Sequence, residues 1–152
     1  MNDAAYDPLL LDHQLCFALY AASKEVIRLY TPYLSPHGLT YTQYIALLVL
    51  WEADDITVSE LGARLMLDSG TLAPMLKKLA EKGYLLRTRS KEDERVVKLK
   101  LTPSGRELKK AFTGLPQKLA CALALPVERL AMLKTELNAL TQQLHEQQHP
   151  PG

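Results

Sequence analysis

At Gly83 the apolar residues of this 152-residue chain stop recurring at helical spacing and begin to alternate, and this change of period constrains the fold more than any other feature. Two short helical patterns lie upstream. Thr57-Val58-Ser59-Glu60 reads as a capping box, in which the Thr57 hydroxyl and Glu60 carboxylate satisfy exposed amides, and Leu61 and Leu65 continue the apolar stripe. Leu67-Asp68-Ser69 interrupts that helix. Asp68 or Ser69 then caps a second one, with Pro74 in its opening turns, Leu72, Leu76 and Leu79 inward, and Lys77, Lys78 and Lys82 outward. Gly83 is its C-terminal stop. Downstream, residues 84–90 and 96–102 read as strands, the second alternating Val97, Leu99 and Leu101 with Lys98 and Lys100, and residues 91–95 form the hairpin tip.

Two helices on a tight turn followed by a hairpin make a winged helix-turn-helix. Its flanks are helical. Asp12 is a plausible N-cap for a helix reaching Leu34, with Leu15, Leu19, Ala22, Val26, Leu29 and Tyr33 at helical spacing. Ser35-Pro36-His37-Gly38 stops it, and residues 41–53 resume as a helix so apolar that it belongs at the centre. Thr102-Pro103 opens a helix predicted to run to about Leu123. After Pro126 comes a last one over residues 127–147, carrying Leu130, Leu133, Leu137, Leu140 and Leu144, and residues 149–152 are expected to fray. The expected architecture is mainly α: one domain over residues 1–152, with a winged-helix lobe at 36–103 flanked by helices at 9–35 and 104–147. Its longest apolar stretch, residues 44–51, is far short of the ~20 residues that span a bilayer. Two cysteines cannot make a disulfide scaffold, and no secretory pattern opens the chain, so a reducing cytoplasm is the expected setting.

The 18 Lys and Arg against 17 Asp and Glu leave a net charge of only +1, so a nucleic-acid surface has to come from placement. Arg87, Arg89, Lys91, Arg95, Lys98 and Lys100 all fall in the hairpin, and Ser69 and Thr71 sit at the start of the second helix of the pair. There, hydroxyls and free amides reach bases and phosphates of double-stranded DNA, while wing cations reach the backbone or minor groove. Each lysine alone also fits a solvated face.

Cys16 lies in the opening turns of the first helix, where the macrodipole and free amides favour a thiolate. The alternative is a small buried hydrophobe among Leu15, Phe17 and Leu19. Tyr30 follows it by 14 residues on the same stripe, about 21 Å along the axis, so the two cannot touch within one chain. Antiparallel pairing of this helix with its copy could bring them together. Cys121, between Ala120 and Ala122, is the other thiol and fits a buried helix position equally well. His13, His37, His145 and His149 lack the ligand spacing of a structural zinc site, and no phosphate-binding glycine loop occurs, so no metal or cofactor is expected.

Asp93-Glu94-Arg95, followed by Val97, Leu99, Leu101-Thr102 and Gly105, resembles the wing signature of the MarR family of dimeric winged-helix transcription regulators. Leu67-Asp68-Ser69-Gly70-Thr71-Leu72 with Pro74-Met75-Leu76-Lys77 resembles that family's recognition helix. The stretches Gln14-Leu15-Cys16-Phe17-Ala18-Leu19-Tyr20 and Thr40-Tyr41-Thr42-Gln43-Tyr44 are similar to its organic-hydroperoxide-sensing repressors. The resemblance implies a cytoplasmic homodimer that is not an enzyme and represses transcription from a palindromic operator. It further implies that Tyr30 and Tyr41 hydrogen-bond the partner's cysteine with Tyr20 nearby, that Asp93 orients Arg95, and that Lys77 and Lys78 join the DNA surface. Oxidised Cys16 would be captured by Cys121 of the other subunit, as in two-cysteine members. Two other readings stand beside it: a regulator gated by a phenolic ligand, with Cys16 inert, and a thiol peroxidase turning hydroperoxide over.

Overall fold

A computed structural model describes residues 7–149, and the expected fraying of residues 150–152 lies outside them. Among the described residues, seven α-helices and three short strands follow one another: α1 (Leu15–Leu34), α2 (Tyr41–Glu52), β1 (Ile56–Thr57), α3 (Val58–Leu65), α4 (Ser69–Glu81), β2 (Leu85–Arg89), β3 (Val97–Leu101), α5 (Pro103–Leu108), α6 (Leu115–Leu123) and α7 (Val127–Gln148). The chain divides into one unit running to Leu115 and another from Pro116.

In the first unit α2 is the central element, buried through Tyr44, Ala46, Leu47, Val49 and Leu50, and it packs on α1, α3 and α4. It begins in a second capping box: the Gln43 amide N–H donates to Thr40 Oγ1 at 3.3 Å, and Thr40 N–H donates to Gln43 Oε1 at 3.0 Å. The Thr57 capping box forms as expected, and Asp68, not Ser69, caps α4. Leu72, Leu76 and Leu79 face inward and are fully buried. The strands form one antiparallel sheet in the order β1-β3-β2. Two residues of β1 pair with β3, Ile56 opposite Leu99 and Thr57 opposite Lys98, so the hairpin is stitched to the start of α3 by a strand too short to show a period in the sequence.

Two expectations are corrected. Asp12 does not cap α1: it lies in a 3-10 turn, Leu11–His13, and α1 starts at Leu15 behind Gln14, whose side chain makes no cap and instead donates back to the Pro8 carbonyl. The helix expected from residue 103 to 123 is broken into α5, a 3-10 turn over Lys109–Phe112, and α6. Gly114 has no helix-holding side chain, and Pro116 lacks the N–H that would continue the ladder. Most of α1 stays exposed, including Leu15, Phe17, Tyr20, Val26 and Ile27.

In the second unit α7 carries no buried residue, and Leu133, Leu137 and Leu144 are exposed. A left-handed Ala124, φ 50°, turns the chain between α6 and α7. Among the described residues no helix is long and apolar enough to cross a membrane.

Candidate functional site

The start of α4 is organised by one carboxylate. Asp68 Oδ1 accepts the Thr71 N–H at 2.8 Å and Asp68 Oδ2 accepts the Thr71 hydroxyl at 2.8 Å, and these two bonds hold the carboxyl below its usual range. Ser69 and Thr71 are exposed there, as are Lys77 and Lys78 along the helix. Lys82, expected to point outward with them, donates from Nζ to the carbonyl of Gly38 in the turn after α1.

In the sheet, cross-strand partners share a face. Arg87 lies opposite Leu99 and Arg89 opposite Val97, whereas Lys98 and Lys100 lie opposite Thr88 and Leu86. The hairpin cations therefore divide: the arginines take the face of the buried Leu99, and the two lysines take the other, Lys98 beside Glu60. Arg87 and Arg95 join Thr57, Ser59, Ser69 and Ala73 around a cavity of about 360 Å³ between the wing and the start of α4. At the tip Asp93 does organise Arg95, but through the backbone: Asp93 Oδ1 accepts the Arg95 N–H at 2.9 Å and its carbonyl accepts the Val96 N–H at 3.0 Å. Lys91 is exposed beside them.

The root of the wing holds residues that the sequence reading missed. Asp54 Oδ1 accepts the Leu101 N–H at 2.8 Å and Asp54 Oδ2 accepts the Arg106 guanidinium at 2.8 Å. Burial pushes this carboxyl up, but the Leu101, Arg106 and Asp55 donors outweigh it and leave it below the ordinary range. Beside it, Trp51 Nε1 donates to the Gly105 carbonyl at 2.9 Å.

Cys16 is the second residue of α1, free and exposed, so the buried-hydrophobe alternative does not hold within the protomer. Tyr30 and Tyr41 do come together, with ring centroids 4.8 Å apart in an edge contact. Tyr44, unforeseen as a member although one helical turn after Tyr41, completes the cluster at 5.6 Å from Tyr30 and 5.3 Å from Phe112. Burial, then the neighbouring tyrosines, push the Tyr30 and Tyr44 phenols up, so both stay protonated donors. Tyr20 is not part of this cluster. It is 60% exposed, with Lys24 Nζ 5.0 Å from its ring centroid, and stands about 15 Å from Tyr30 along the helix. Cys121 is free and exposed on α6, not buried among the alanines. The rings of His145 and His149 lie tilted by 50° with centroids 4.7 Å apart, and no cluster of three or more metal-ligating side chains occurs among the described residues.

The chain is similar in sequence and in fold to known transcription regulators. A family profile described as transcriptional regulator SarA/Rot matches residues 28–112. The chain is 43% identical to the organic hydroperoxide resistance transcriptional regulator of Bacillus subtilis, over 93% of this chain and 96% of the relative. It is 42% identical to the HTH-type transcriptional regulator SarZ of Staphylococcus saprophyticus, over 84% of this chain and 87% of that one. Among solved structures, AbfR of Staphylococcus epidermidis in reduced form bound to DNA superposes with a TM-score of 0.73 at 34% identity, covering 88% of this chain and 93% of that one. AbfR has also been solved with a disulfide formed, at a TM-score of 0.63, 32% identity and coverage of 86% and 92%.

Proposed function

Because the chain belongs to the MarR family of winged-helix transcription regulators, we propose that it is a DNA-binding repressor that senses organic hydroperoxides through Cys16. The observation that carries this reading is the placement of Cys16: a free, exposed thiol in the first turn of a helix on which Leu15, Phe17, Val26 and Ile27 remain exposed in the protomer. A second copy covers them in the proposed homodimer, where residues 9–35 and 104–147 dimerise and residues 36–103 read DNA. The antiparallel α1 pair then brings each Cys16 toward the partner's tyrosine cluster, whose protonated phenols can donate to a peroxide oxygen.

On a palindromic operator the two α4 helices enter successive major grooves, with Ser69, Thr71, Lys77 and Lys78 toward bases and phosphates. Arg87, Arg89, Lys91 and Arg95 meet the backbone or minor groove, and Asp93 shapes the turn that presents Arg95. Oxidation begins when the Cys16 thiolate attacks a hydroperoxide oxygen. The O–O bond breaks, the alcohol leaves with a proton, and Cys16 becomes a sulfenic acid. The thiol of Cys121 from the other subunit then displaces water and forms an intersubunit disulfide that re-aims the lobes. The relatives named above support this reading: one carries hydroperoxide resistance in its name, and another has been solved both on DNA and with a disulfide.

The test is operator affinity by fluorescence anisotropy, before and after cumene hydroperoxide. Cys16→Ser is expected to bind as the reduced parent does and to ignore the oxidant, since serine cannot form a sulfenic acid. Release persisting in Cys16→Ser overturns the sensor assignment and leaves a ligand-gated regulator; sustained hydroperoxide consumption with a reductant turns the reading to a peroxidase.

A further inference from the structure

We propose that Asp54 is the positioning residue that aims the wing at DNA, a role that rests on the DNA-binding reading above. The reason lies in how the sheet ends. β1 pairs with β3 for two residues only, and the register that places Ile56 opposite Leu99 would place Asp54 opposite Leu101. The strand cannot continue there, because Asp55 adopts a left-handed backbone, φ 59°, which breaks the extended conformation. The Leu101 N–H would lose its ladder partner on that side. The Asp54 carboxylate replaces it, taking that N–H at 2.8 Å with one oxygen and the Arg106 guanidinium from α5 at 2.8 Å with the other. One side chain following α2 thereby joins the last residue of β3 to the helix after it, and its side chain is only 29% exposed.

The geometry makes this joint matter at a distance. From Leu101 to Arg95 the chain runs six residues of wing, about 20 Å at strand rise. A tilt of about 5° at the root moves the tip by roughly 2 Å, which is enough to break an N–H to phosphate hydrogen bond. The core near the root stays in place without Asp54, since Leu99 and Leu101 are buried by apolar packing. Its loss therefore loosens the aim of the wing and lowers stability, while the chain still folds.

The experiment is a double-mutant cycle on the full chain, using a DNA duplex selected from a random library by the parent, with operator binding measured by anisotropy at a temperature where every variant is folded. Arg95→Ala in the parent is expected to weaken binding about tenfold, and Asp54→Ala about as much. In the Asp54→Ala background, Arg95→Ala should cost less than about twofold, because a wing that is no longer aimed has already let go of the DNA. Asp54→Asn, which keeps an acceptor for Leu101, should restore part of the affinity and part of the Arg95 effect. A merely structural Asp54 would leave the Arg95 cost at its parental value, and that result overturns the inference alone. A parent that selects and binds no duplex overturns both this inference and the DNA-binding reading.

Discussion

Gly105→Ala is the perturbation whose cost follows most directly from the structure. A Cβ built at position 105 falls 2.0 Å from the Tyr84 carbonyl oxygen and 3.1 Å from Leu101 Cδ2. The first of these distances is more than an ångström too short, and the carbonyl cannot swing away freely because it accepts the Thr102 N–H at 3.1 Å. Relief requires α5 to lift from the wing root, which strains two further bonds: Gly105 N–H to Thr102 Oγ1 at 3.0 Å and Trp51 Nε1 to the Gly105 carbonyl at 2.9 Å. Overpacking of this kind costs about 1–3 kcal/mol and each weakened hydrogen bond about 1 kcal/mol, against a gain of at most about 1 kcal/mol from alanine's helix preference. The expected net loss is roughly 2–4 kcal/mol, which for a chain of this size lowers the melting temperature by about 4–16 °C. Thermal unfolding followed by circular dichroism at one fixed protein concentration measures it. Gly114→Ala is the control: nothing lies within 4 Å of its added Cβ, and it should melt at or slightly above the parent. A Gly105→Ala protein as stable as the Gly114→Ala control would refute the close approach of α5 to Tyr84.

Hydroperoxide should convert the parent to a covalent dimer on non-reducing gels, reversed by dithiothreitol, whereas Cys121→Ser should stay monomeric on the gel while Cys16 proceeds to sulfenic and over-oxidised forms detectable by mass. A parental monomer carrying a small-thiol adduct at Cys16 would remove Cys121 from the mechanism. Arg95→Ala should lower the slope of log affinity against log salt by about one unit for each phosphate that the arginine neutralises, and an unchanged slope and affinity would take Arg95 off the DNA. Because the Asp54 carboxyl sits below its ordinary range when folded, the stability it adds is fully present above pH about 4 and is lost as pH falls through the folded value. Asp54→Asn should therefore be less stable than the parent in denaturant titrations near neutral pH and should lose less of its stability on acidification; equal acid sensitivity in the two proteins would contradict the pairing.

What could be read from the sequence was what neighbouring residues determine between themselves. Capping at Thr57 and Asp68 acts over three residues, the inward leucines of α4 repeat within two turns, and the left-handed stop at Gly83, φ 78°, needs only a residue without a side chain. The helix-turn-helix and the hairpin followed from such local preferences, whereas the start of the helix that carries Cys16 did not: Asp12 sits in a 3-10 turn ahead of it, and only the structure shows the thiol exposed. Thr40 and Gln43 were legible on the same terms, as the same three-residue capping pattern. Tertiary structure decided what distant segments do to one another. Strand β1 exists because β3 offers it two partners, the arginines and lysines of the wing part company because register assigns them to opposite faces, and Tyr44 joins Tyr30 only when α1 and α2 pack together. Asp54 finds Leu101 across 47 residues and Arg106 across 52, and Gly105 has to be glycine because Tyr84 approaches it. None of these meetings leaves a period or a cap in the chain, since their energy comes from groups far apart in sequence that no local pattern records.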